Sequence, residues 1–355
     1  MQSFPHMEGS RVLQETTTQG QAPPPDENGV DEIAVLAVDI GATKIAVGIV
    51  VENGQVIARE RTATPADAPA ALAEIARLVD DMLRLARDLG VMLSAVGIAC
   101  GGPLDIENGL VLSPPNLPTW DRVPIVELLS VQTGLSAHLQ NDAAAGAMAT
   151  DRWDNPHGDG HIVYITVSSG IGCGVINDGS LLSGAHGNGS ELGHIPLIWN
   201  GRACRCGQLG CVEAYVSGTA IGERFTELER TARGAAQPET VEPKSAFDVA
   251  TLVALGDEPA IAHWAESMAM LKRTIRAAIT LFDPALVVIG GGVSESGPLL
   301  SPALTLDDDV FLASHAGSTP VIRVTGFGRD SGVLSAASVA FDPQAGTSAR
   351  KAGRP

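Results

Sequence analysis

Four metal-binding side chains lie within one short segment of the sequence. They are His194, Cys204, Cys206 and Cys211, in the string HIPLIWNGRACRCGQLGC. Three thiolates and one imidazole complete a tetrahedral zinc site. We favour a structural clip over a reactive metal, because a catalytic zinc keeps one coordination position open and here the protein fills all of them.

Carboxylates stand at both ends of this metal segment. Glu191 precedes the histidine by one helical turn's spacing, and Glu213 closely follows the last cysteine. Either of them taken alone is explained as a solvated surface charge. If the metal fixes the segment, the two carboxylates are held in place and can accept hydrogen bonds from several hydroxyls of a polyol.

The pair Asn141-Asp142 follows a predicted strand and precedes the helix-forming run AAAGAMA. One interpretation is a helix N-cap, which stabilises a helix by about 1 kcal/mol. The other is a general base, because a carboxylate facing a nucleotide cleft can accept the proton of an attacking hydroxyl.

Loops of small residues end several predicted strands. In the first of them, Gly41 lets the backbone approach an anion, Thr43 can donate its hydroxyl to phosphate, and Asp39 can hold Mg²⁺ directly or through water. Each loop alone is also explained as an ordinary tight turn. Together they predict a nucleotide site that contacts the β/γ-phosphates, the α/β-phosphates and the adenosine separately. The loops are DIGATK (39–44), SSGIGCG (168–174) and Gly290-Gly291-Gly292.

The elements that carry these residues follow a repeated pattern of strand, small-residue loop, strand and tight turn. In the first half we predict strands at 33–38, 45–51, 55–61, 96–100 and 135–139, a turn at Asn53-Gly54, and a helix at 67–89. In the second half we predict strands at 161–167, 175–176 and 286–289, a turn at Asp178-Gly179, and helices at 258–282 and 330–341. The repetition indicates two related α/β halves that face one cleft.

The predicted domain organisation has four parts. Residues 1–32 are polar and proline-rich and are predicted to be a disordered leader. Residues 33–142 form an N-terminal α/β domain, and residues 143–341 form a C-terminal α/β domain that includes the metal segment. The last helix of the second domain is expected to pack back near the hinge, and residues 342–355 are predicted to be a disordered tail.

Composition narrows the classes of function. The 355 residues carry a net charge of −18, which argues against a protein that holds nucleic acid through its phosphates. Neither a long apolar run nor a basic, then apolar, N-terminus is present, so we expect a cytoplasmic protein. The odd number of cysteines fits metal binding in a reducing compartment, and we predict that Cys100 and Cys173 are small buried residues rather than nucleophiles.

Taken together, the motifs resemble the ROK group (repressors, open reading frames and kinases), whose members have the actin-like ATPase (ribonuclease H-like) fold. This resemblance implies two α/β domains around a nucleotide and sugar cleft. It spans nearly the whole predicted folded region, in the family's order. The matching segments are DIGATK (39–44), GIACGGPLD (97–105), PPNLPTW (114–120), QNDAAAGA (140–147), SSGIGCGV (168–175), GNGSELGH (187–194), CRCGQLGCVEAYVSG (204–218) and VVIGGGVSES (287–296).

The resemblance also implies roles for individual residues. Asp142 looks like the catalytic base, and His194 is expected to serve zinc through one ring nitrogen and the sugar through the other. The residues expected to contact the sugar are Gly102, Asn116, Asn141, Asp142, Glu191, His194 and Glu213. Those expected to contact the nucleotide and Mg²⁺ are Asp39, Gly41, Thr43, Lys44, Ser169, Gly170, Gly291 and Gly292.

The activity that the resemblance implies is ATP-dependent phosphorylation of the primary hydroxyl of a hexose, with glucose as the default acceptor. ATP, Mg²⁺ and a structural Zn²⁺ are the expected cofactors. Four alternative acceptors stay open, namely a C7-cyclitol, an aminohexose such as kanosamine, N-acetylmannosamine and fructose. Departures from the usual family motifs at Ala144, Ser168 and Cys173 make a specialised acceptor the runner-up to glucose.

A second class of function is a non-catalytic, sugar-sensing regulator of the same family. Such regulators carry a helix-turn-helix domain before the first loop. Only 38 residues precede Asp39 here, and they are rich in proline without helical periodicity. We therefore expect a kinase whose partners are ATP and a small sugar or cyclitol, without nucleic acid or membrane, and which forms a homodimer as the family suggests.

Overall fold

The computed structural model describes residues 33–155, 157–158, 160–232, 241–306 and 319–343. The predicted leader at 1–32 lies outside the described residues, as does the predicted tail at 342–355 apart from its first two residues. Among the described helices, none combines the length and the apolar composition that are needed to cross a membrane.

The first part of the described chain forms a five-stranded sheet with helices. In chain order its elements are β1 (Ala34–Ile40), β2 (Lys44–Val51), β3 (Val56–Ala63), α1 (Ala68–Leu89), β4 (Leu93–Cys100), β5 (Leu104–Asp105), β6 (Leu110–Val111), α2 (Ile125–Thr133) and β7 (Ser136–Asn141). The strand order is β3-β2-β1-β4-β7, in which β2 is antiparallel to both of its neighbours and β4 is parallel to both of its neighbours. Each element predicted in this region is confirmed within a few residues.

The second part forms another five-stranded sheet. Its elements are α3 (Asp142–Ala149), β8 (Ile162–Val167), β9 (Ile171–Asn177), β10 (Ser180–Leu181), α4 (Glu213–Val216), α5 (Gly218–Ala232), α6 (Ala246–Ala254), α7 (Glu258–Phe282), β11 (Leu286–Gly290), α8 (Ser301–Leu304), β12 (Val321–Val324) and α9 (Ser331–Phe341). The strand order is β10-β9-β8-β11-β12, again with an antiparallel meander followed by parallel strands. The repeated architecture predicted from the two strand–loop–strand segments is therefore confirmed.

Local sequence signals fix the ends of the long helices. Asp67 caps α1 by accepting a hydrogen bond of 2.9 Å from the Ala70 N–H, and Gly90 ends that helix in the left-handed conformation. Asp257 caps α7 in the same way through the Ala260 N–H. Both caps satisfy backbone donors that the first turn of a helix leaves without partners.

Two helices, α3 and α9, pack between the two sheets. Ala147 and Met148 of α3 contact the second sheet, whereas Val333 and Ala336 of α9 pack on the first sheet. The Ser338 hydroxyl of α9 donates a hydrogen bond to the Ala145 carbonyl of α3, which joins the two helices. The last described helix, α9, therefore completes the core of the first sheet. The predicted domain boundaries place this helix in the second domain instead.

Candidate active-site cleft

A cleft of about 560 Å³ lies where the ends of β1 and β7 face the β8–β9 turn and the end of β11. Every residue predicted to contact the acceptor or the nucleotide lines it, namely Asp39, Gly41, Thr43, Lys44, Gly102, Asn116, Asn141, Asp142, Ser169, Gly170, Glu191, His194, Glu213, Gly291 and Gly292. Among the predicted zinc ligands, Cys206 also reaches the cleft, while Cys204 and Cys211 are buried.

The pair Asn141-Asp142 begins α3, and its two side chains have different tasks. Asn141 is the N-cap, since its Oδ1 accepts hydrogen bonds from the Ala143 and Ala144 N–H groups at 3.0 and 3.2 Å. Capping therefore accounts for the position of Asn141. The Asp142 carboxylate lines the cleft and accepts a hydrogen bond of 2.9 Å from the Ala143 N–H. Burial raises the pKa of Asp142, and that hydrogen bond partly offsets the rise.

Asp39 ends β1 and approaches the first turn of α9. Gly332 makes this approach possible, because a Cβ at that position would overlap the Asp39 carboxylate. Burial raises the pKa of Asp39 to about 7; the positive charge of Lys44 opposes that rise and the negative charge of Asp142 adds to it. Two carboxylates that interact at the floor of a cleft supply the hard oxygen ligands that Mg²⁺ prefers.

Two turns of small residues border the same cleft. In the β1–β2 turn, the Gly41 N–H donates to the Lys44 carbonyl at 2.9 Å, and the Thr64 hydroxyl donates to the Gly41 carbonyl at 2.7 Å. In the β8–β9 turn, the Ser168 N–H donates to the Gly170 carbonyl at 2.9 Å. These bonds fix both turns with their backbone beside the carboxylates.

The predicted metal ligands converge on one point. The four donor atoms of His194, Cys204, Cys206 and Cys211 lie within 4.8 Å of one another. His194 Nδ1 is 3.7 Å from Cys204 Sγ, and Cys206 Sγ is 3.7 Å from Cys211 Sγ. With zinc bonds of about 2.3 Å to sulfur and about 2.0 Å to nitrogen, a regular tetrahedron separates its ligand atoms by about 3.5–3.8 Å. Both distances agree with this spacing, and three thiolates and one imidazole are donor types that suit Zn²⁺.

The metal cluster is joined directly to the wall of the cleft. While Nδ1 of His194 faces the thiols, its Nε2 lies 3.9 Å from Glu191 Oε2. Glu213 Oε2 accepts a hydrogen bond of 3.0 Å from the Ile171 N–H at the start of β9. Burial raises the pKa of Glu191; His194 opposes that rise, and Asp142 and Glu213 reinforce it. Both glutamates line the cleft, but only Glu213 is fixed by a hydrogen bond, whereas the side chain of Glu191 is 56% exposed.

The two remaining cysteines lie in strands, as predicted for buried residues. Cys100 and Cys173 are both buried, and burial raises the pKa of each thiol, to about 12 for Cys173. A thiol that stays protonated at neutral pH is a weak nucleophile.

Two residues, one lining the cleft and one in contact with a lining residue, were not identified from the sequence. Tyr164 is a buried tyrosine of β8 whose hydroxyl lies 3.4 Å from Ser331 Oγ at the start of α9. The sequence feature that indicates this residue is a hydroxyl-bearing side chain within an otherwise mostly apolar strand. Arg205 lies between two metal ligands in the sequence, and its guanidinium contacts Asn116, which lines the cleft. That contact joins segments far apart in the chain, so no spacing in the sequence indicates it.

Comparison with known proteins places these features in a family. The model of the ROK family matches residues 35–342. A glucokinase of Thermotoga maritima is 33% identical over 315 residues, which cover 87% of this chain and 97% of the relative. An N-acetylmannosamine kinase of Escherichia fergusonii is 33% identical over 314 residues, covering 87% of this chain and 98% of the relative.

A solved structure supports the same placement. The crystal structure of a ROK family glucokinase from Streptomyces griseus, in complex with glucose and AMPPNP, superposes with a TM-score of 0.71 at 29% identity. The match covers 87% of this chain and 99% of that one. The two sheets and the cleft described above therefore have a close structural counterpart.

Proposed function

Because this chain belongs to the ROK family and its cleft joins small-residue turns to several carboxylates, we propose that it is an ATP-dependent sugar kinase. The reaction is transfer of the γ-phosphoryl group of ATP to the primary hydroxyl of a hexose. Glucose is the default acceptor, since glucokinases are among its relatives over almost their full length.

The position of Asp142 is the main observation that supports this proposal. Its carboxylate lies on the cleft at the start of α3, while its neighbour Asn141 takes over the capping of that helix. The raised pKa of Asp142 makes its carboxylate a stronger base than an exposed aspartate. In the proposed mechanism this carboxylate aligns the acceptor hydroxyl and accepts its proton as the bond to phosphorus forms.

The acceptor is held by the side chains around that base. Glu191 and Glu213 accept hydrogen bonds from ring hydroxyls, and Nε2 of His194 faces the same region of the cleft. Asn116, Asn141 and the backbone near Gly102 complete the wall. A set of fixed polar groups suits phosphoryl transfer, because catalysis of that reaction depends mostly on alignment and on neutralising charge.

The nucleotide is proposed to bind on the other side of Asp142. The backbone at Gly41, Thr43 and Lys44 and the turn at Ser169-Gly170 would surround the phosphates, and Gly291-Gly292 would contact the adenosine. Asp39 would hold Mg²⁺, directly or through water. When bound, Mg²⁺ supplies positive charge that offsets the charge of the triphosphate.

An ADP-release assay over a panel of acceptors tests this function. The panel contains glucose, mannose, fructose, glucosamine, kanosamine, N-acetylmannosamine and a C7-cyclitol, each with Mg-ATP. We expect at least one of them to stimulate ADP release well above the rate without acceptor. If none does so with folded, zinc-loaded protein, the kinase proposal is wrong.

A side pocket favours a second class of acceptor, a hexose with a bulky substituent. The pocket opens beside Asn141 and Glu191, has a volume of about 50 Å³, and is lined in part by Ala144, Cys173 and Leu182. The Ser190 hydroxyl on its wall is buried and has no hydrogen-bond partner among the described residues. A space of that volume holds a few waters or a substituent of similar size, such as the acetamido group of N-acetylmannosamine.

Ala144→Leu distinguishes the two acceptor classes, because the larger side chain would fill part of the side pocket. If the acceptor carries an acetamido group, kcat/KM should fall for N-acetylmannosamine and stay close to the wild-type value for glucose. A wild-type preference for glucose over N-acetylmannosamine, with an equal effect of the substitution on both sugars, would rule out the substituted acceptor.

A further inference from the structure

Arg205 joins the segment that carries the metal ligands to Asn116, a residue of the first half that lines the cleft. It lies between Cys204 and Cys206 in the sequence. Its Nη1 donates a hydrogen bond of 2.9 Å to Asn116 Oδ1, and its Nη2 donates one of 2.8 Å to Glu223 Oε1 on α5. One guanidinium thus links a loop of the first half, a helix of the second half and the metal cluster.

This contact sets the orientation of the Asn116 carboxamide. An arginine can only donate hydrogen bonds, so the atom of Asn116 that faces it must be the carbonyl oxygen. The amide nitrogen is then turned away from Arg205. It lies 3.7 Å from the position that a Cβ of Gly170 would occupy, beside Glu213 in the cleft. Asn116 therefore presents N–H donors to the region that contains the carboxylates.

The ion pair itself contributes little to folding. The side chains of Arg205 and Glu223 are 50% and 53% exposed, and exposed ion pairs stabilise proteins by about 1 kcal/mol at most. Stabilisation of the fold is therefore a weak explanation for the contacts of Arg205. The orientation of the Asn116 carboxamide, in contrast, determines which of its groups faces a bound polyol.

A neighbouring arginine provides the contrast. Arg202 donates two hydrogen bonds to Glu227, at 2.7 and 2.8 Å, one turn further along the same helix. Its side chain is 36% exposed and that of Glu227 is 52% exposed. Both arginines thus pair with a glutamate of α5, and Arg205 differs by its additional hydrogen bond to Asn116.

We propose that Arg205 is a positioning residue for the acceptor sugar. It holds the Asn116 carboxamide with its amide group toward the cleft, and it connects the ordering of the metal cluster to this residue of the first half. This inference rests on the proposed kinase function. It assigns a task to a residue that neither binds the metal nor contacts the nucleotide.

The test compares Arg205→Met with Arg202→Met, using glucose as the acceptor and verifying the zinc content of each variant. Loss of one oriented hydrogen bond corresponds to about a 3- to 10-fold weakening. We expect Arg205→Met to raise the KM for glucose by that factor with kcat within about twofold and an unchanged KM for ATP. Arg202→Met should leave all three values near those of the wild type.

A double-mutant cycle with Asn116→Ala shows whether Arg205 acts through Asn116. If it does, adding Arg205→Met to Asn116→Ala should produce little further increase in KM, since the effects of coupled residues are not additive. Arg205→Lys should restore the wild-type value only in part, because lysine lacks the planar fork that reaches both partners. Calorimetric titration of glucose without nucleotide should show the same ranking of affinities.

The outcomes separate this inference from the function on which it rests. A wild-type protein that no sugar in the panel stimulates contradicts the proposed function. An active wild type whose affinity for glucose is unaltered by Arg205→Met, or is altered equally by Arg202→Met, contradicts the role of Arg205. Full additivity in the double-mutant cycle contradicts it as well.

Discussion

At the scale of single residues, the two carboxylates at the floor of the cleft matter most. Asp39 and Asp142 end up near each other although they come from different strand ends. Burial raises the pKa of both, and the charge of Asp142 adds to the shift at Asp39. A cation placed between them would relieve this cost, so their electrostatics are suited to a metal-bound triphosphate.

The pH dependence of stability tests the environment of Asp39. Its pKa in the folded protein is about 7 against 3.8 when unperturbed, so its contribution to stability is present below about pH 4 and is lost as the pH rises toward 7. Without nucleotide and Mg²⁺, Asp39→Asn should therefore become increasingly more stable than the wild type between those pH values. Urea unfolding at several pH values measures this difference, and parallel stability profiles for the two proteins would contradict the assignment.

The sequence indicated the chemistry of most cleft residues but not their contacts. The sequence left open whether Asn141-Asp142 is a cap or contains a base, and the structure shows that Asn141 caps α3 while the carboxylate of Asp142 lines the cleft. The contact of Arg205 with Asn116 could not be predicted, because it depends on how two distant loops meet in space.

At the scale of secondary-structure elements, the central feature is the packing of α9 on the first sheet. Gly97 of β4 lies directly under this helix, and a Cβ there would overlap the Ala336 carbonyl. A helix was predicted at 330–341, and its residues from Val333 to Ala340 are all buried, so its apolar side chains do not define a single face. Periodicity does not specify which sheet an apolar helix covers, so the return of α9 to the first sheet was not predicted in detail.

A substitution at Gly97 measures how closely these elements pack. Gly97→Ala should lower the free energy of unfolding by about 1–3 kcal/mol, since overpacking forces the helix away from the strand. Gly101, just beyond the end of the same strand, is a matched control because a Cβ there meets nothing within 4 Å. Denaturant unfolding of both variants gives the comparison, and equal losses for the two would show that the α9–β4 contact is not the cause.

At the scale of the whole molecule, the metal cluster connects parts of the chain that form different walls of the cleft. His194 and Glu191 lie beside each other on the cleft, and Arg205 joins the same segment to Asn116. The cluster is the clearest chemical signature in the sequence, and because four protein donors would fill a tetrahedral zinc site, we propose that it organises the cleft rather than takes part in the reaction.

Removal of the metal tests this organising role. Because metal binding is coupled to local folding, metal-free protein should bind glucose about tenfold more weakly, or worse. Binding of ATP should change less, since the β1–β2 turn lies apart from the metal ligands. Calorimetric titrations of protein verified to be metal-free, and of the same protein after zinc is restored, make the measurement. Unchanged affinity for glucose in the metal-free protein would refute the role.

We propose that Asp142 directs phosphoryl transfer to a primary hydroxyl. Proton-coupled ³¹P NMR of the product formed from glucose and Mg-ATP tests it most directly, because the phosphorus signal is split by the protons on the carbon that bears the phosphate. We predict a triplet, which a CH₂ group produces, and a rate of product formation that Asp142→Asn lowers by at least about 100-fold while the variant stays folded. A doublet, the absence of any sugar phosphate, or a near-normal rate in Asp142→Asn would contradict the account.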